Sequence, residues 1–144
     1  QYSKKRVKLD FDYGKLTLYY HAYDEKLFQT HLDRFYKNKS QEHIPPLVAL
    51  WAKKMHLSPT DIRYRKTKRQ WGSCSGKNVL SFNTMMMKLP LNVIEYIIVH
   101  EMIHLLERLH NERFVAYMDE FIPQWRLFRD ELNQAPLAHE TWEY

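Results

Sequence analysis

The chain lacks the disulfide bonds that stabilise small secreted domains and the long apolar runs that span membranes. Its 144 residues include one cysteine, Cys74, so a disulfide framework is excluded. Because the chain has no run of 18 or more apolar residues and no apolar segment of the signal-peptide type, we expect neither a membrane span nor Sec export. Only three glycines occur, which excludes a glycine-rich loop for binding phosphate. We therefore expect a cytoplasmic protein with no membrane partner.

The composition that remains supports one domain. Apolar residues make up 44% of the chain and aromatic residues 15%, which is enough to build a core without disulfides. No internal repeat or low-complexity linker divides the sequence. We predict that residues 1–144 form a single domain.

Periodicity along the chain predicts both strands and helices. Alternation and helical spacing predict strands over residues 7–11, 16–20, 62–70 and 79–83, and helices over 27–35 and 47–55. A turn at 12–14 joins the first two strands into a hairpin, and three more helices follow residue 90. This order predicts an α+β fold, with an antiparallel sheet that carries its helices on one face.

The most informative segment is His100-Glu101-Met102-Ile103-His104. Two histidines four residues apart on a helix face the same point, so both imidazoles can bind one metal ion. Glu101 would then lie beside a water on that metal and is the candidate general base. With 8 histidines in 144 residues, random placement gives about 0.03 such motifs per chain. The other interpretation, a core helix whose histidines only form hydrogen bonds, is less favoured.

A catalytic zinc needs a third protein ligand, and His110 is the best candidate. A continuous helix would carry His110 out of reach of His104, so the helix must end near residues 106–109 and the chain must fold back. Asn111 is a suitable N-cap for a new helix. Glu120 is the alternative third ligand, and we expect Glu107 to support the ligands rather than to bind the metal.

Further segments complete a recognisable pattern. The pattern consists of residues 70–75 (Gln-Trp-Gly-Ser-Cys-Ser), residues 79–83 (Val-Leu-Ser-Phe-Asn), Tyr96 to Glu101, Glu107, His110 and Arg113-Phe114. It resembles the YgjP-like zinc metallopeptidase family, a compact zincin group. The resemblance covers about residues 44–132, which we expect to form the catalytic core after a divergent hairpin and helix over residues 1–40. It implies a small zincin-like domain with the motif on a central helix. It also implies a zinc ion held by His100, His104 and His110, with Glu101 catalytic.

Three functional hypotheses follow. The leading one is a zinc-dependent peptidase that hydrolyses peptide or protein substrates, with the strand at 79–83 offering its edge to an extended peptide. The second is a metal-dependent nucleoside-triphosphate pyrophosphatase, an activity described for one member of the family. The third is a non-catalytic, metal-stabilised binding module. The sequence specifies neither an oligomeric state nor a nucleic-acid partner.

Three further features of the sequence each allow more than one interpretation. Residues 63–69 hold five basic residues in seven, typical of an edge strand protected against aggregation or of a surface for an anionic substrate. Cys74 is interpreted as a packing residue, with a place near the metal or a thiolate ligand as the alternatives. Tyr117 and Arg113 are the two candidates for the group that stabilises the oxyanion.

Overall fold

The computed structural model describes residues 7–12, 15–20, 25–135 and 141–144. These residues form five strands, four α-helices and one 3-10 turn. In chain order the elements are β1 (Val7–Asp12), β2 (Lys15–Tyr20), α1 (Glu25–Met55), β3 (Asp61–Arg65), β4 (Gly72–Cys74), β5 (Val79–Asn83), the 3-10 turn (Thr84–Lys88), α2 (Leu91–Ile103), α3 (Glu112–Phe121) and α4 (Trp125–Asn133). None of the described helices combines the length and the apolar character needed to cross a membrane.

Strands β1 and β2 form the predicted hairpin. They pair antiparallel, and Asp12 lies opposite Lys15, so two residues connect them. Those two residues lie outside the described part of the chain, so the predicted turn conformation stays a prediction. The pairing itself is confirmed.

Helix α1 corrects the prediction of two helices, over 27–35 and 47–55. It continues as one helix from Glu25 to Met55 with Pro45 and Pro46 inside it. Prolines remove backbone N–H donors and usually interrupt a helix, which is why the sequence favoured a break. Burial outweighs this loss, because one face of the helix is buried on both sides of the prolines, at Ser40, Ile44, Val48, Trp51 and Met55.

The second sheet is mixed, and the prediction of an antiparallel sheet is wrong for one of its two pairs. The strand order is β3-β5-β4, with β3 parallel to β5 and β4 antiparallel to it. The short strand β4 was not predicted. After β3, which ends at Arg65, the chain crosses to the far edge, forms β4 and returns to the middle as β5. This detour makes β5 run in the same direction as β3, and it leaves β3 at an edge, as its charges predict.

Helix α2 lies at the centre of the fold. It packs against α1, α3, α4 and β4, and every residue from Tyr96 to Ile103 is buried. The central strand of the second sheet is equally enclosed, because Leu80 and Phe82 of β5 are at most 1% exposed. Each buried apolar side chain of this size contributes on the order of 1.5–3 kcal/mol. The motif therefore lies on a mostly buried helix, as expected.

Candidate metal centre

The end of α2 brings the histidines together. The helix ends at Ile103, slightly earlier than predicted, and His104 is its C-cap. The amides of Leu106 and Glu107 both donate to the carbonyl of Ile103, so the chain tightens into a turn and reverses. Asn111 then caps α3 by accepting a hydrogen bond from the amide of Phe114, as the sequence predicts. His110 lies in this returning segment.

The three histidines form one cluster. The Nε2 atom of His110 lies 3.2 Å from Nε2 of His100 and 3.1 Å from Nε2 of His104. Tetrahedral zinc with Zn–N bonds of about 2.0–2.1 Å requires N···N separations of about 3.3 Å, close to these distances. Among the described residues this is the group of side chains that could hold a metal ion. Glu120, the alternative third ligand, is exposed on α3 and is not part of it.

The chemistry of the donors also fits a metal. The Nδ1–H of His104 donates to the carbonyl of Glu107 at 3.0 Å, which leaves its Nε2 with a free lone pair. Burial lowers the pKa of both His100 and His104, and for His100 the neighbouring histidines lower it further. Both shifts favour the neutral ring, the form in which imidazole binds a metal ion.

The cluster opens into a cavity of about 350 Å³. One wall is formed by the three histidines and Glu101, and a second by Gln70, Gly72 and Ser73 before and within β4. Residues 141–144 form a third wall. There the ring of Trp142 lies 4.3 Å from that of His100, and the ring of Tyr144 stacks on His110 at 4.9 Å.

Glu101 lies in the wall of the cavity, next to the three histidines. Its side chain is 3% exposed, lines the cavity beside the histidines and reaches the backbone of Gly72 in β4. A carboxylate in such a place can accept a proton from a water in the cavity and stay oriented by its surroundings.

Comparison with known proteins agrees with this geometry. Residues 4–135 match the family described as YgjP-like, metallopeptidase domain. The chain belongs to the YgjP-like metallopeptidase family. This confirms the resemblance inferred from the motifs, and a metallopeptidase requires a metal ion, which the three histidines of this YgjP-like protein could hold.

Solved structures support the same fold. The metallopeptidase zymogen abylysin of Pyrococcus abyssi is 18% identical, with a TM-score of 0.57 over 62% of this chain and 90% of its own. The metallopeptidase zymogen jannalysin of Methanocaldococcus jannaschii is 19% identical, with a TM-score of 0.57 over 63% and 94%. The expected α+β, zincin-like fold is thus confirmed, with the mixed sheet as the correction. No curated protein has a significantly similar sequence.

Glu107 supports the histidine cluster of this YgjP-like protein through its backbone as well as its side chain. Its carbonyl orients His104, and its carboxylate accepts hydrogen bonds from the side chain of Asn111 at 2.8 Å and from the amide of Leu109 at 3.4 Å. The bond from Asn111 lowers the pKa of this carboxyl group. The sequence predicted that Glu107 lies near the candidate ligands, but it did not reveal that its carbonyl contacts His104.

Arg108 ties the returning loop to the sheet, which sequence reasoning missed. Its guanidinium donates to the carbonyl of Cys74 at 3.1 Å and to Oδ1 of Asn78 at 2.8 Å. Cys74 is partly buried against the core, its burial raises the pKa of the thiol, and it is not part of the histidine cluster. These contacts favour the packing interpretation of Cys74.

The two candidates for the group that stabilises the oxyanion, Arg113 and Tyr117, do not line the cavity. Arg113 donates to the hydroxyl of Tyr117 at 3.3 Å on α3, and neither side chain is among those that line the cavity. The aromatic wall at residues 141–144 was also missed, because a four-residue segment of this kind carries no periodicity that could place it.

Proposed function

We propose that the protein is a zinc-dependent peptidase in which His100, His104 and His110 hold the metal and Glu101 is the general base. The observation that carries the proposal is the meeting of three imidazole Nε2 atoms beside a buried carboxylate in an open cavity. Three neutral imidazoles match the ligand preference of zinc and leave a fourth position for water or substrate.

Zinc, when bound, supplies a Lewis acid that polarises the scissile carbonyl and acidifies water. Glu101 accepts a proton from the attacking water and returns it to the amine that leaves, so the same carboxyl group serves as base and then as acid. Its burial places this transfer in a region of low dielectric constant, where a fixed charge acts more strongly than in water. Glu107 keeps His104 in the tautomer whose Nε2 faces the cavity.

The substrate would bind along β4. The expectation that residues 79–83 offer their edge is wrong, because β5 is the central strand and is paired on both sides. Strand β4 lies at an edge of the described sheet, and its Gly72 and Ser73 line the cavity. An extended peptide paired with β4 would lie next to Glu101 and the histidines.

The phosphoanhydride alternative gains no support from the cavity. No lysine or arginine occurs among the side chains that line it in the described part of the chain. The basic residues of β3 belong to the opposite edge of the sheet from β4. A triphosphate in the cavity would therefore lack the cations that its charge requires.

The decisive experiment compares Glu101→Gln with Glu120→Gln. Both replace a carboxylate by its isosteric amide, but Glu120 is exposed and lies outside the cavity. We expect Glu101→Gln to keep its zinc and its melting temperature and to lose about 10²-fold or more in peptide hydrolysis, while Glu120→Gln keeps all three. Zinc content is measured by atomic emission and turnover on a fluorogenic peptide library.

Other results would replace the proposal. If triphosphate hydrolysis, and no peptide hydrolysis, disappears with Glu101→Gln, the protein acts on phosphoanhydrides. Wild-type protein that hydrolyses neither would be a metal-stabilised binding module. Loss of zinc in Glu120→Gln would instead move the third ligand from His110 to Glu120.

A further inference from the structure

We propose that Gly72 is a positioning residue for Glu101: the missing side chain at this place in β4 is the space that the catalytic carboxylate occupies. The inference deepens the proposed function and rests on Glu101 as the general base. It assigns a role to the glycine of the Trp71-Gly72-Ser73 segment, which the metal cluster alone does not explain.

The space beside Gly72 is filled by Glu101. A Cβ atom at Gly72 would lie 3.0 Å from Cγ and 3.2 Å from Oε2 of Glu101, and 3.3 Å from the carbonyl oxygen of Ser81. Comfortable contacts between non-bonded carbon atoms lie at about 3.5–4.0 Å. Any residue other than glycine would therefore press on the carboxylate.

Backbone conformation is not the reason for this glycine. Gly72 lies in a strand and does not have a positive φ, so an alanine could adopt its backbone angles. Glycine in a strand forfeits side-chain packing and often marks a close approach of another group. Here the approaching group is the side chain of Glu101.

Neither neighbouring backbone can withdraw to make room. Strand β4 is anchored by the amide of Asn83, which donates to the carbonyl of Trp71 at 2.8 Å, and by pairing of Gly72 with Phe82. Helix α2 is fixed by its buried surface. The carboxylate of Glu101 is the part that can move, so a methyl group at Gly72 would displace it from its place beside the histidines.

The expected effect is on turnover rather than on binding. Displacement of a catalytic group by about 1 Å can cost on the order of 10²-fold in rate. We expect Gly72→Ala to lower kcat by about 10- to 100-fold, with KM and zinc content close to those of the wild type. Gly76→Ala is the matched control, because a Cβ at Gly76 meets nothing within 4 Å. It should keep full activity.

A double-mutant cycle separates positioning from a general structural role. In the Glu101→Gln background, the amide is already inactive as a base, so Gly72→Ala should cause little further loss of turnover. Full additivity of the two losses would overturn the inference, because Gly72 would then act independently of Glu101. Wild-type kcat in Gly72→Ala would overturn it too.

Thermal unfolding provides a second readout that needs no activity. We expect Gly72→Ala to lower the melting temperature and Glu101→Ala, which removes Cγ and the carboxylate, to restore much of that loss. If Glu101→Ala restores nothing, the carbonyl of Ser81 is the obstacle and the inference fails. Should Glu101→Gln leave peptide turnover intact, the proposed function fails instead, whatever the unfolding cycle shows.

Discussion

The inner and outer halves of the histidine cluster are held in different ways. The inner half, His100 and Glu101, belongs to a helix whose surroundings are apolar and almost fully buried. The outer half, with His110, lies in a short exposed segment between α2 and α3 that depends on hydrogen bonds from Asn111 and Arg108. The proposed metal site therefore joins a part that is buried in the core to a part that we expect to open locally.

Removing one histidine from each half gives the largest expected difference. Both His100→Ala and His110→Ala should abolish zinc binding and peptide turnover, because three ligands are needed. Only His100→Ala should also destabilise the metal-free protein, by about 2 kcal/mol or more, since it leaves a cavity among Tyr96, Phe114 and Trp142. His110 is exposed, and its loss should leave unfolding of the metal-free protein nearly unchanged.

Urea unfolding of the metal-free variants, with zinc removed by a chelator, checks this difference. Equal destabilisation by both substitutions would mean that the outer segment is as firmly part of the core as α2. Zinc retained at full occupancy in His110→Ala would exclude His110 as a ligand.

Substitutions at Asn111 separate the two interactions that hold the outer half, namely the cap of α3 and the hydrogen bond to Glu107. Asn111→Ala removes both the cap of α3 and the bond to Glu107, and should cost about 1 kcal/mol of stability as well as metal affinity. Asn111→Asp keeps a good cap but places one carboxylate against another. Without metal, we expect it to melt slightly below the wild type and above Asn111→Ala, because the cap is kept and the bond to Glu107 is lost. We expect it to bind zinc about 10-fold more weakly than the wild type.

Calorimetric titration of zinc into the three proteins measures the affinities. If Asn111→Asp binds zinc as tightly as the wild type, the bond between Asn111 and Glu107 does not support the metal centre, and the cap alone explains any effect of Asn111→Ala.

A substitution at Asp119, near the end of α3, gives the smallest expected effect. The effect is a change in melting temperature that depends on pH. Asp119 accepts hydrogen bonds from Nε1 of Trp125 at 2.8 Å and from Arg126 at 3.0 Å, and these lower the pKa of its carboxyl group. A carboxyl group whose pKa falls on folding stabilises the fold above its unfolded pKa of about 3.9, and this contribution is lost as the pH falls through the folded value. Asp119→Asn should therefore melt slightly below the wild type at pH 7, and at the same temperature near pH 2. If the difference in melting temperature between Asp119→Asn and the wild type persists or grows in acid, the hydrogen bonds to the ionised carboxylate are not its cause.

The sequence predicted both halves of the cluster better than it predicted the sheet and helix α1. Helix α2 follows from local spacing, and the return of His110 follows from the distance constraint and the cap at Asn111. Strand β4 could not be predicted, because three residues that begin with Gly72 show no alternation. The parallel pairing of β3 with β5 depends on that strand, so it was missed as well. Pro45 and Pro46 misled the prediction of α1, because burial of the helix face outweighs their local preference.

The contact between the rings of Trp142 and His100 means that tryptophan fluorescence can report metal binding at the cluster. Indole emission is quenched by a paramagnetic ion held nearby, and the two rings are 4.3 Å apart. Of the four tryptophans, Trp51 and Trp125 donate instead to Glu95 and Asp119. Loading of the cluster with cobalt or copper can thus be followed through the fluorescence of the unmodified chain. Trp71 precedes Gly72 of the cavity wall and is a second emitter near the cluster. Trp142→Phe should therefore weaken that signal and leave the three histidines in place.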